Sequence, residues 1–545
     1  MSMSPPMQQH TEILPLLINS DTERNYGLSS SLTNPVKDRD SMKVMTLATW
    51  NTSYPLISKY LSLFPSLLVA LIIWNIPAGD GMSDNAMQLL GVFVGIIFAL
   101  LTTPFEGSVL ILAGLVVLSF TRSFVCNLEG KIAQCLTYHD NFTVALGGFS
   151  TNVNWMVFAS FQLGKAVDKT KLGRRLSLIF IKYMGSNVIG LGYAVFASEF
   201  LLAPFVPSNT ARGGGIILPI VVSIASTLST TPNTSHSSSH TTKFLALCGA
   251  HANLLSASMV ATGMVANPLV VQKAASVYKG VTFGYGEWAI GAFVPSLVIA
   301  LLLPPLFFAI CGESSITDDP GDQMRDLVER ELDALGPFSS KEYQLCSVLL
   351  LCLVFWMTQP YTNFDGTLIA VCGVVILLLM ETITWKDVCE NTKAFDAFIW
   401  MGGLIALSEQ LSSNGVGAFF GHILSRSIHQ RFTPLPSALA LGIIYFFSTF
   451  FFSSLTAHIL AFATPFLEAG KKLGSPPMVV IAMIGYFSAL GGCMTNFSTG
   501  TVAMYYTEGR ISRASWFGIG LMVASVHILI YLSVGLGWWR VLGWC

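Results

Sequence analysis

The stretch Pro207-Ser208-Asn209-Thr210-Ala211-Arg212 sits inside an apolar block, 188 to 225, that is long enough to enter a bilayer and leave it again. Small polar residues break the block at its middle. A second block, 435 to 468, has the same form and is broken by Ser453-Ser454-Leu455-Thr456. Irregular backbone at membrane depth survives only where protein or a water-filled cavity covers it. Both blocks therefore read as re-entrant helical hairpins.

The rest of the chain agrees with a membrane setting. Only 11% of its residues are charged, against roughly 25% in soluble domains. Apolar stretches near 60 to 77, 86 to 103, 107 to 121, 142 to 164, 245 to 272, 288 to 311, 345 to 359, 366 to 381, 394 to 411, 477 to 505 and 514 to 537 read as spans. The expected fold is an all-α polytopic membrane protein, with about eleven transmembrane helices plus two hairpins. Residues 1–59 read as a polar, mostly disordered cytoplasmic tail, 60–311 as a first half, 312–344 as a charged cytoplasmic connector and 345–545 as a second half. The net charge of -1 leaves no bulk attraction for nucleic acid.

Positive charge sets the orientation. With the tail inside and the spans alternating, about 19 Lys and Arg fall inside and about nine outside, as the positive-inside rule requires. The loop holding Cys126 and Cys135 is then outside, where the two could form a disulfide if the compartment is oxidising.

The two halves resemble each other. Ser208-Asn209-Thr210-Ala211-Arg212 and Ser454-Leu455-Thr456-Ala457-His458 share a Ser-x-Thr-Ala-basic core at an offset of 246, and nearly the same offset relates Trp155-Met156 to Trp400-Met401. A span interrupted by small and polar residues follows each hairpin, at Thr262-Gly263 to Asn267-Pro268 and at Gly491-Gly492 to Gly500. Paired interruptions in corresponding halves mark the binding site of a transporter, and an odd number of spans per half makes the repeats inverted.

From about residue 60 to the end, the chain resembles the divalent anion/sodium symporter superfamily, and within it the citrate/succinate, tartrate/succinate and 2-oxoglutarate/malate antiporters. Pro207 to Arg212 carry the resemblance, with Leu202-Ala203-Pro204 before them and Leu218-Pro219 after; Gly173-Arg174-Arg175, Gly190-Leu191-Gly192 and Gly537-Trp538-Trp539 add to it. The resemblance implies exchange of di- or tricarboxylates, a homodimer, and elevator-like motion of the hairpin-bearing part against a scaffold. It implies no cofactor. The expected location is the bacterial inner (cytoplasmic) membrane, with the plastid inner envelope as the alternative.

A carboxylate at membrane depth needs donors and positive potential. Ser208, Asn209 and Thr210, with Ser453, Ser454 and Thr456, offer donors at the two tips, where the free N–H groups of each returning arm also point. The alternative use of such residues is helix capping. Arg212 and His458 follow the tips and could supply fixed positive charge where a symporter recruits sodium; Arg212 could instead pair with Glu199, and His458 could be a core residue. Thr262, Asn267, Thr495, Asn496, Ser498 and Thr499 sit at the interruptions and complete the candidate set. Leu455 replaces the Asn of the first tip, a departure from the sodium-coupled pattern. The rival readings are a sodium-coupled symporter of the same fold and a membrane-embedded enzyme. The second would need a nucleophile, base or metal cluster, and the sequence shows none.

Overall fold

The computed structural model describes residues 59–545 except 129–130, 230–234, 313–320 and 430–431, so the polar segment 1–59, Lys59 apart, lies outside the described residues. Three short apolar helices come first: α1 (Phe64–Trp74), α2 (Ala86–Thr102) and α3 (Gly107–Phe120). An antiparallel pair of strands, β1 (Val125–Leu128) and β2 (Lys131–Gln134), then corrects the all-helical expectation. Strands of four residues give no period to read in a sequence. A disulfide joins Cys126 to Cys135 across this pair. Helix α4 (Tyr138–Leu146) follows, started by a capping box between Thr137 and Asp140.

The order of elements from here repeats. The first half runs α5 (Asn152–Thr170), α6 (Leu172–Met184), α7 (Val188–Leu202), a π-helical turn at Thr210–Ile217 leading into α8 (Leu218–Ser229), then α9 (Ser235–Met259), α10 (Asn267–Val277) and α11 (Tyr285–Cys311). Three longer linking helices follow, α12 (Gly321–Leu335), α13 (Ser340–Met357) and α14 (Gly366–Leu379), with short helical turns at Gln359–Thr362 and Trp385–Cys389. The second half runs α15 (Thr392–Ser413), α16 (Val416–His429), α17 (Pro434–Ser448), α18 (Leu455–Lys472), α19 (Pro477–Leu490), α20 (Gly500–Glu508) and α21 (Arg513–Ile530). Each half is thus a long helix, a short amphipathic helix, two arms around a break, a broken helix, and a closing long helix.

The first members of the two halves, α5 and α15, pack antiparallel. Trp155 meets Phe398 with ring centroids 5.3 Å apart and Phe158 meets Phe395 at 5.3 Å, while the Asn391 amide donates to the Phe161 carbonyl at 3.2 Å. Residue numbers rise along one helix as they fall along the other. Their C-terminal ends therefore point in opposite directions. Close approach at this crossing requires glycine, since a Cβ on Gly148 would lie 2.0 Å from the Gly402 carbonyl oxygen.

Among the described residues six helical stretches are long and apolar enough to cross a membrane, and five shorter ones are strongly apolar. Two of the six, Thr210–Thr227 and Pro434–Phe451, are arms of the blocks read as hairpins. Rows of exposed apolar side chains such as Leu297 and Leu301 on α11, Leu350 and Val354 on α13, and Leu521 and Leu529 on α21 suit contact with lipid.

The stretch around 172 to 184, which holds the Gly173-Arg174-Arg175 run, is helix α6, whose basic face is held by the connector. Arg174 pairs with Glu331 and Lys182 with Glu329. Arg175 is buried: its Nε donates to Glu342 at 2.6 Å, its Nη1 to the Gly336 carbonyl at 2.8 Å, and its guanidinium lies 4.7 Å over the Phe338 ring. Removing one partner of a buried pair leaves an uncompensated charge, at a cost of about 3–5 kcal/mol, whereas an exposed pair is worth about 0–1 kcal/mol. Arg175→Ala should lower the unfolding temperature in detergent clearly, and Arg174→Ala should barely move it. Equal shifts would show that burial does not decide the strength of this seam.

Candidate functional site

Helix α7 ends at Leu202 because Pro204 and Pro207 lack N–H groups and clash with the preceding turn. The chain restarts at the first tip. The Arg212 N–H donates to the Ser208 carbonyl at 2.9 Å, and the Ser208 hydroxyl accepts from the Ala211 N–H at 3.2 Å. Ser208 is therefore spent partly on capping, one of the two uses its residue type allows.

Arg212 is wholly buried and nearly saturated by protein. Its Nε donates to Glu199 Oε2 at 2.6 Å, its Nη1 to the carbonyls of Val206 (2.6 Å) and Gly263 (3.0 Å), and its Nη2 to Ser256 Oγ at 2.9 Å. The guanidinium ties α7, the tip and the first interruption together. One N–H at most is left for an anion, so in this conformation Arg212 braces the tip. Glu199 accepts further bonds from the amide of Asn253 and the hydroxyl of Ser256, both on α9.

The first tip also leans on the second half. The Asn209 carbonyl accepts from Asn253 Nδ2 at 3.0 Å and from Thr501 Oγ1 at 3.1 Å, and Tyr505 OH donates to the Gly213 carbonyl at 3.1 Å. Gly213 permits this, because a Cβ there would lie 2.6 Å from both Asn253 Nδ2 and the Thr501 methyl. Gly214 likewise packs closely, against Met504, whereas Gly215 lies in open space.

The second tip is built differently. Ser454 Oγ accepts from the Ala457 N–H at 3.4 Å, starting α18, and Leu455 turns inward against Gly492. His458 is fully buried. Its ring nitrogens face Ser448 Oγ at 2.7 Å and Thr449 Oγ1 at 3.5 Å, and Tyr445, Phe452 and Phe462 surround it. It thereby pins the two arms of its block together, the core role rather than the ligand role.

Both tips meet one common segment, the interruption between α19 and α20. A Cβ on Gly500 would touch Thr210 at 3.6 Å, while one on Gly492 would touch Leu455 at 3.2 Å. Within this segment Ser498 Oγ donates to the Gly492 carbonyl and Thr499 Oγ1 caps Val502, so both act as caps. At the first interruption Asn267 Nδ2 donates to the carbonyls of Ala257 and Val260. Left without side-chain hydrogen-bond partners among the described residues are the hydroxyls of Thr210, Ser453, Thr456, Thr262 and Thr495 and the amide nitrogen of Asn209. The side-chain amide oxygens of Asn253, Asn267 and Asn496 are buried and also unpartnered. Asn253, Ser256, Thr501 and Tyr505 escaped the sequence reading. The three-residue spacing of Asn253 and Ser256 on an apolar helix was the signal available for the first two.

A cavity of about 310 Å³ reaches the first tip at Pro207, Ser208 and Ala211. Its other walls come from the C-terminal part of α5, with Lys165 and Asp168, and from Glu390 to Lys393 at the start of α15.

The profile of the family described as the sodium:sulfate symporter transmembrane region matches residues 57–545. The putative malate transporter YflS of Bacillus subtilis is 32% identical over 485 residues, covering 89% of this chain and 97% of its own. Dicarboxylate transporter 1, chloroplastic, of Arabidopsis thaliana is 31% identical over 486 residues (88% and 83%), and the L-tartrate/succinate antiporter of Escherichia coli K12 is 30% identical over 475 (87% and 96%). Among solved structures, the YdaH transporter of Alcanivorax borkumensis aligns with a TM-score of 0.52 at 14% identity, covering 85% of this chain and 99% of that one, a likeness of fold alone.

The geometry separates two kinds of variant. Thr210→Ala removes an uncommitted donor and should raise the half-saturating concentration of transported anion about tenfold, with the unfolding temperature unchanged. Asn209→Ala also removes the amide oxygen that caps the Thr210 N–H, so it should do the same with a small loss of stability. Arg212→Ala strands Glu199 without its ion-pair partner and should depress stability and transport together. Transport loss in Arg212→Ala with full stability would return Arg212 to direct anion contact.

Proposed function

The chain belongs to the sodium:sulfate symporter family, and on that premise we propose that it exchanges one di- or tricarboxylate of the succinate, malate, 2-oxoglutarate or citrate class for another. The observation that carries this reading is the meeting of both tips at one interrupted segment, where hydroxyls and an amide without protein partners remain at membrane depth. Each tip begins a helical arm, so free N–H groups add positive potential beside those donors. Two such tips suit the two ends of a dicarboxylate. The relatives named for malate, dicarboxylates, and tartrate and succinate support the same class. The family and these relatives are transporters, not enzymes.

The antiparallel packing of α5 and α15 supports an inverted relation between the halves, with α7–α8 and α17–α18 as the two hairpins. On this reading the hairpins, α9–α10 and α19–α20 form the moving part of a homodimer working as an elevator. The Cys126–Cys135 disulfide fits an outer, oxidising face and so a bacterial inner membrane with that loop in the periplasm.

One observation favours the sodium-coupled alternative. The buried unpartnered oxygens of Asn253, Asn267 and Asn496 are acceptors, and acceptors suit a cation such as Na⁺ better than a carboxylate. A single experiment divides the two readings. In proteoliposomes, radiolabelled malate should accumulate only when malate is loaded inside, and at the same rate in sodium and in potassium. Rapid uptake into empty vesicles that rises with an inward sodium gradient would establish symport instead.

A further inference from the structure

Five Asp, Glu, Lys or Arg side chains are buried among the described residues. Four of them pair off, Arg175 with Glu342 and Arg212 with Glu199. The fifth, Lys273, has no carboxylate at salt-bridge distance. Its ammonium donates to the hydroxyl of Ser408 on α15 and, at 3.3 Å, to that of Thr464 on α18. Glu409, which interacts with it electrostatically from beyond salt-bridge distance, is engaged by the Gln272 amide at 2.9 Å. Lys273 lies six residues beyond Asn267 at the start of α10, about 9 Å along the axis from the interruption, and so still at membrane depth.

Its place in the repeat is what gives this cation a role. The charged cavity that reaches the first tip is bounded by the C-terminal part of α5 and by the first tip with its returning arm. The corresponding place in the other half is bounded by the C-terminal part of α15, by α16 and α18, and by Leu90, Phe93 and Val94 of α2. There a cavity of about 440 Å³ is lined by Ser408, Leu411, Leu460, Phe462 and Thr464 and is almost wholly apolar. It includes no residue of the second tip. Since α5 and α15 run antiparallel, the two places face opposite sides. The first place is polar and continuous with its tip; in the second, Lys273 reaches Ser408 and Thr464, which stand in the cavity wall.

We propose that Lys273 is the anion-receiving cation of the closed side, clasped by Ser408 and Thr464 while the carrier is open to the other. An unpaired ammonium at depth needs a compensating anion, and two hydroxyls are weak substitutes for a carboxylate. When α18 and α15 part, the ammonium loses its hydroxyl partners and faces the incoming carboxylate. Each cycle exchanges one partner set for the other. The inference rests on the carboxylate-carrier reading, and it adds that the two faces see the substrate through different residues.

The test measures half-saturation at each face separately, with radiolabelled malate in right-side-out and inverted vesicles and saturating malate on the far side. Lys273→Gln should raise the half-saturating concentration about tenfold at the face of the Cys126 loop and leave the other face within about twofold. Lys273→Arg should restore it. Ser408→Ala removes the clasp while keeping the cation, so it should leave affinity at that face unchanged or improved; this variant reads the proposal even if Lys273→Gln folds poorly. Equal losses at both faces in Lys273→Gln, no loss at either, or weakened affinity in Ser408→Ala would overturn it. Wild-type uptake that needs no malate on the far side would defeat the exchange reading and leave the comparison of faces intact. Absence of saturable uptake of malate, succinate, 2-oxoglutarate and citrate by the wild type would sink both.

Discussion

Glu199 and Arg212 form an ion pair from which water is excluded, and the backbone of the first tip is hung on it. A chain that leaves helical geometry at membrane depth frees carbonyls and N–H groups with no solvent to receive them. The guanidinium answers two such carbonyls, at Val206 and Gly263, while its charge is met by the one carboxylate placed on the facing arm. Asn253 and Ser256 then close the remaining valences of Glu199. With the supports satisfied internally, the Thr210 hydroxyl and the Asn209 amide nitrogen at the end of the tip keep no protein partner among the described residues.

The two tips reach the same end by unlike means. The first is held by charge and by hydroxyls from the second half, through Thr501 and Tyr505. The second is held by an aromatic box around His458 and by Leu455 against Gly492. Leu455 stands where the first tip has Asn209, so packing takes the place of a polar group there. Lys273, near the second arm, supplies a buried charge held by hydroxyls of α15 and α18.

Much of this arrangement is legible in the amino-acid sequence, because breaking a helix in lipid demands particular residues. Pro204, Pro207 and the Ser-Asn-Thr run could hardly occur in a continuous span, and a similar run stands at 454–458. The amphipathic helices α6 and α16 were not recognised, since their charged faces read as loop. The strands β1 and β2 were missed because four residues carry no pattern. At 142 to 164 one apolar stretch turned out to hold parts of both α4 and α5. The partners of Arg212 could be narrowed to Glu199 or an anion, and only three-dimensional packing separates these, as it does the core role of His458. Lys273 gave no signal at all, for a single Lys in an apolar run does not show whether it snorkels to the surface or is clasped inside.

The central claim is that one carboxylate substrate lies between the two tips, on the donors that the protein leaves uncommitted. A cryo-electron microscopy structure of the purified protein in saturating malate tests it directly. Density between the Asn209–Thr210 tip and the Ser453–Thr456 tip, within hydrogen-bonding distance of both, is the result expected. Malate bound elsewhere, with these donors still unoccupied, would contradict it.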